Sequence, residues 1–158
     1  MTRRNFALRV LCVAVILITT LPVLAAAVRG RPQGPYKYTM IASVAYQGQT
    51  AAGREKGRLN LSGLRAWGQS NDGITSFNLR FATRLTRANR QDRTARGRVT
   101  WDLSQLGYGI STGRVAANTR IQKTRVGIWK LTGNYTGRIT TGQATGATLS
   151  GRFVAKSI

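Results

Sequence analysis

The chain has no histidine, one cysteine and only four acidic residues, against 25 lysines and arginines in 158 positions. The cysteine, Cys12, falls in the N-terminal segment. The rest of the chain therefore cannot build a Ser–His–Asp or Cys–His relay, a disulfide, or the histidine and cysteine sets that hold most zinc ions. The carboxylates are Glu55, Asp72, Asp92 and Asp102. Glu55 lies between Arg54 and Lys56, and Asp92 lies among arginines; such neighbours keep a carboxylate ionised and make it a poor proton donor at neutral pH. Asp72 belongs to Asn71-Asp72-Gly73, where an aspartate serves a turn. Asp102 follows Trp101 on the polar side of an alternating segment, placed for a cross-strand pair with Arg80 or Arg98. No Ser-x-x-Lys dyad and no phosphate-cradling glycine loop occurs. The expectation is a protein without catalytic residues, bound metal or cofactor.

The N-terminus has the order of a secretory signal. Arg3, Arg4 and Arg9 precede an uncharged stretch from Val10 to Val28, with small residues at Ala25-Ala26-Ala27 and Pro22 just before them. Cleavage after Ala27 would leave 131 residues; an uncleaved membrane anchor is the alternative, since the stretch approaches the ~20 residues that span a bilayer. Thr2-Arg3-Arg4-Asn5-Phe6 resembles the twin-arginine export signal, although Ala7 and Leu8 depart from its usual leucine and lysine. That resemblance implies a bacterial-type source and a domain folded before crossing the membrane. The expected organisation is a signal helix over 1–27, a linker over 28–35 and one β domain over 36–158, periplasmic or secreted.

Beyond the leader the pattern is that of strands. Tyr36, Tyr38, Met40, Ala42, Val44 and Tyr46 alternate with polar residues, the two-residue period of a half-buried strand. Similar alternation over 58–62, 77–85, 98–103, 131–140 and 147–155 predicts six to eight antiparallel strands forming a small barrel or a sandwich. Gly48 to Gly53 reads as a break, Val115 to Ile121 as the one place for a helical turn, and the change of phase near Trp129 as a β-bulge. Glycines recurring on the inward face suit sharply bent strands or close backbone approach.

Charge is what the chain has in excess. From Val28 onward 22 basic residues, 17 of them arginine, face the four acids. Arg80, Arg84, Arg87, Arg90, Arg93, Arg96 and Arg98 fall in one predicted hairpin with a polar tip from about Thr86 to Thr94. Arginine forks match phosphate, sulfate and carboxylate, so this hairpin is the candidate site for an anionic polymer or surface: nucleic acid, lipopolysaccharide, acidic polysaccharide or anionic lipid. Three other readings stand beside it. One is a structural envelope or matrix protein whose charge only keeps it soluble. Another is a small outer-membrane barrel with its polar face inward. The last is a lipocalin-like barrel using Trp67, Trp101, Trp129 and Tyr135 to line a cavity for an apolar small molecule.

Overall fold

The structure, a computed structural model, describes residues 30–158; the signal segment, Cys12 and the twin-arginine pattern lie outside the described residues. Eight antiparallel strands close into a barrel in which each strand pairs with its sequence neighbours and β8 returns to β1. They are β1 (Gly34–Tyr46), β2 (Gln49–Ser62), β3 (Arg65–Ser70), β4 (Thr75–Phe81), β5 (Arg90–Asp102), β6 (Ile110–Lys123), β7 (Trp129–Thr141) and β8 (Thr148–Ser157). Closure leaves no sheet edge exposed, and eight strands enclose an interior that side chains can either fill or leave as a small cavity.

The break expected over 48–53 is only a two-residue turn. Gln47 and Gly48 both have positive φ, the requirement of the tight hairpin turn whose twist matches its strands, so β2 already begins at Gln49. Val115 to Ile121 is extended within β6: its register with β5 and β7 is continuous, and the neighbouring strands outweigh its weak local preference. The phase change near Trp129 marks the start of β7 after a turn over 124–128, while the register shift in the β6–β7 pair falls at Thr112/Gly113. β3 carries no clear alternation, because its inward positions are Ala66, Gly68 and Ser70 while Trp67 points outward.

The strands run between two unlike ends. At one end, here the base, the connections are 63–64, 82–89 and 124–128; at the other, the mouth, they are 47–48, 71–74, 103–109 and 142–147. Large side chains fill the base: Tyr36, Leu61, Leu85, Ile121, Trp129 and Leu131 are all buried there, with Pro32 covered just ahead of β1. Leu85 comes from the 82–89 loop rather than a strand, and its amide bonds to the Gly63 carbonyl at 3.4 Å. Towards the mouth the inward residues of β1, β2 and β6 shrink to Ala42, Ala51, Gly53 and Ala117, while Val99, Ile139, Ala147 and Leu149, from β5, β7 and around the start of β8, form a second, smaller buried cluster. The result is a cup, plugged below, with its open space on the side of the small residues.

Four inward glycines have a common cause. Tyr38 stands opposite Gly57, Phe77 opposite Gly68, Phe153 opposite Gly133 and Tyr135 opposite Gly151. In each pair the ring lies where a β-carbon on the glycine would be, with ring atoms 2.6 to 3.0 Å from that position. The aromatics thus lie flat against neighbouring backbone, and of the two expectations for the inward glycines, bent strands or close backbone approach, these four positions show the second.

Candidate functional site

The interior above the base plug is a cavity of about 520 Å³. Its wall is mostly apolar: Met40, Val44, Phe77, Leu79, Val99, Trp101, Val115 and Phe153 contribute, with Tyr38 and Tyr135. Two of the four candidate cavity residues, Trp101 and Tyr135, line it. Trp129 is 5% exposed and belongs to the base plug, whereas Trp67 faces outward and is 42% exposed. β3 inverts the expected pattern, placing its one large aromatic on the solvent side.

One polar group in this wall was missed by sequence reasoning. Glu55 lies in phase with Gly57, Leu59 and Leu61, so it points into the barrel while Arg54 and Lys56 point out. Tyr38 Oη donates to one carboxylate oxygen at 2.8 Å, and Thr75 Oγ1 donates to the other at 2.7 Å. The Tyr38 ring reaches that far because it lies over Gly57, two residues along the same strand, and it also meets Phe77 edge-on with centroids 5.7 Å apart. Counting back in twos from Leu61 and Leu59 would have found Glu55. Its flanking cations Arg54 and Lys56 are neighbours in sequence only and lie on the opposite face.

Burial, then the hydrogen bond to Glu55, raises the Tyr38 hydroxyl above the usual phenol range; burial, with a smaller contribution from Glu55, pushes Tyr135 up to about 12. Both therefore stay protonated, as donors, at any physiological pH. Around the rim Asp72 accepts from the Ser70 hydroxyl and from the Ile74 amide at 3.0 Å, bonds that hold its carboxyl below the usual range. Asp102 accepts from the Ser104 amide at 3.1 Å and so caps the loop above it instead of pairing with Arg80 or Arg98.

The outer face carries the charge. Six of the seven candidate arginines are exposed: Arg80, Arg84, Arg87, Arg90, Arg96 and Arg98. Arg93 is in phase with Gln91 and Ala95, turns inward, and donates to the Asp92 carbonyl at 2.8 Å. The loop between β4 and β5 is tied down. The Gln91 side chain accepts from the Thr86 amide at 3.1 Å and donates to the Thr86 carbonyl at 3.1 Å, beneath the buried Leu85. It spans 82–89, shorter and earlier than the expected tip, because β5 runs on to Arg90 by pairing with β6.

Register adds what spacing along the chain could not reveal. Arg65, Arg80 and Arg96 are direct cross-strand partners on β3, β4 and β5, and Arg98, Arg114 and Arg138 are partners on β5, β6 and β7. A third row joins Arg58, Lys37, Lys156 and Lys130 across β2, β1, β8 and β7. Like charges placed directly opposite one another destabilise a sheet by tenths of a kcal/mol to about 1 kcal/mol per pair. Among the outward acids, Asp92 pairs with Arg120 at 2.9 Å, and that contact lowers the Asp92 carboxyl. No protein-family model and no curated protein matches this sequence.

Proposed function

We propose that the barrel is an exported, non-catalytic carrier that holds an apolar small molecule in its cup. The observation that supports this reading is the apolar cavity of about 520 Å³, within the size range of small-molecule sites and closed below by the buried base cluster. Glu55 gives the ligand a polar end. With Tyr38 and Thr75 each donating to one of its oxygens, the carboxylate keeps lone pairs for a further donor. The ligand class is therefore an apolar body ending in an amine or a hydroxyl. A bilayer-spanning barrel is disfavoured by the same geometry, since the apolar face is inside and arginines lie on the outside.

The test is a titration of residues 31–158, a compact unit whose strand pairings are all internal. N-phenyl-1-naphthylamine should bind saturably at one site per barrel and quench Trp101. Ala42→Trp, which fills the cavity, should abolish that binding. Dodecylamine should compete better than dodecanoate, and Glu55→Gln should remove roughly a tenfold part of that preference. Non-saturable binding, or Ala42→Trp binding like the unaltered protein, would remove the carrier reading.

A second reading concerns the outer face: it holds an anionic polymer or surface. The like-charged rows favour it, because an anion laid along them would relieve repulsion that the fold itself leaves standing. On immobilised heparin the barrel should elute above about 0.3 M salt. Elution well below that point would leave the charge as a solubility device in a structural protein.

A further inference from the structure

The basic residues are unevenly distributed along the barrel axis. The mouth connections 47–48, 71–74, 103–109 and 142–147 contain no lysine or arginine, while Asp72 and Asp102 sit at that end. The base connections carry Arg84, Arg87 and Arg125, and Arg90 and Lys130 flank them. The 82–89 loop is joined to the base end of β6, since the Lys123 amide donates to the Asn89 carbonyl at 2.7 Å.

The base also exposes apolar side chains among those cations. Val126 is 78% exposed at the tip of the β6–β7 turn, with Ile128 just behind it. The tip is held in shape. Thr124 donates its amide to the Ile128 carbonyl at 2.8 Å, accepts from Gly127 at 3.0 Å, and takes the Ile128 amide on its hydroxyl at 3.1 Å. Beside it the Ser157 hydroxyl accepts the Trp129 amide at 3.0 Å, which brings in Ile158, itself 67% exposed. A fixed aliphatic tip ringed by arginines matches a surface that is anionic at its headgroups and apolar just beneath.

We propose that the base docks on an anionic lipid bilayer, with Val126, Ile128 and Ile158 entering the headgroup boundary and Arg84, Arg87 and Arg125 pairing with lipid phosphates. The acidic mouth then faces away from the surface and stays open to the aqueous phase. This goes beyond the carrier reading, and it narrows the anionic-surface reading to one end of the barrel and one class of partner.

Vesicles of phosphatidylglycerol and phosphatidylcholine, compared with phosphatidylcholine alone, test it on the 31–158 barrel at about 0.1 M salt. The barrel should sediment with the mixed vesicles only. Arg84→Gln/Arg87→Gln/Arg125→Gln should weaken binding about a hundredfold, at roughly fivefold per cation. Val126→Ser/Ile128→Ser, which alters no charge, should weaken it about tenfold. Arg98→Gln/Arg114→Gln/Arg138→Gln on the upper wall removes the same charge and should change it less than about threefold. Equal losses from the two arginine triples, or full binding by the serine variant, would overturn docking through the base. Retention on heparin without vesicle binding would overturn it too, and would leave the broader anionic-surface reading standing.

Discussion

Gly57→Val should cost about 4 kcal/mol of stability and empty the polar corner of the cup in the same step. Gly57 faces inward on β2, and a β-carbon there meets both the Gln69 carbonyl oxygen of β3 and the Tyr38 ring. The carbonyl cannot retreat, because β2 and β3 are held in register from Gly57↔Ser70 to Ser62↔Arg65. The tyrosine can retreat only by leaving Gly57, and with it the hydrogen bond to Glu55. Overpacking of this kind usually costs 1–3 kcal/mol, and displacement of a buried polar contact adds to it. Against a stability of roughly 5–15 kcal/mol for a domain this size, the variant should melt far lower or fail to fold. Gly53→Ala is the matched control: it lies on the same face of the same strand, and its β-carbon meets nothing within 4 Å. Urea unfolding followed by tryptophan emission should place Gly53→Ala within about 0.5 kcal/mol of the unaltered barrel. Equal losses in the two variants would mean that the close approach at Gly57 is not what holds this corner together.

Trp129→Ala should lower the melting temperature by about 15 °C, while Trp101→Ala should lower it by only a few degrees. Both indoles point inward, but they do different work. Trp129 is buried in the base plug with Lys123 Nζ over its ring at 5.8 Å from the centroid, and its truncation leaves a hole among Tyr36, Ile121 and Leu131. Large-to-alanine changes of that kind cost 3–5 kcal/mol, and each kcal/mol shifts a domain of this length by about 4 °C. The Trp129 indole N–H has no hydrogen-bond partner, so the loss measures packing and the Lys123 contact without a hydrogen bond. Trp101 faces the cavity and is only partly covered, so its removal enlarges a space that already exists. Its loss should appear in naphthylamine binding instead. Calorimetry of the two variants decides the matter: comparable drops would contradict the division into a plug and a cup.

The parts of this fold legible in the sequence are those where a single strand settles its own geometry. β1 alternates without interruption, and its inward set of Tyr36, Tyr38, Met40, Ala42, Val44 and Tyr46 can be read by counting in twos. β3 could not be read that way, since small and polar side chains suffice inside where Phe77 and the strand neighbours already fill the space around Gly68. The inward turn of Glu55 and Arg93 was accessible to the same counting. Their charged sequence neighbours lie on the opposite face of the strand, so adjacency in the chain says nothing about their surroundings. The arginine rows were not legible at all. They exist only through register, which places Arg114 between Arg98 and Arg138 although 16 and 24 residues separate them along the chain.

The barrel has one seam unlike the rest. Seven of its eight strand pairings join neighbours in the chain, but β1 meets β8 across more than 100 residues, from Tyr36↔Ser157 to Ala45↔Thr148. The seven can form as successive hairpins with short loops to close, whereas the eighth is the most non-local pairing of the molecule and its longest single closure. Until it shuts, the protein is a curled, open sheet with Tyr38, Phe153 and Ala155 wet along its two free edges. The interior compartment therefore comes into being late and all at once, at the moment the two ends of the chain find each other.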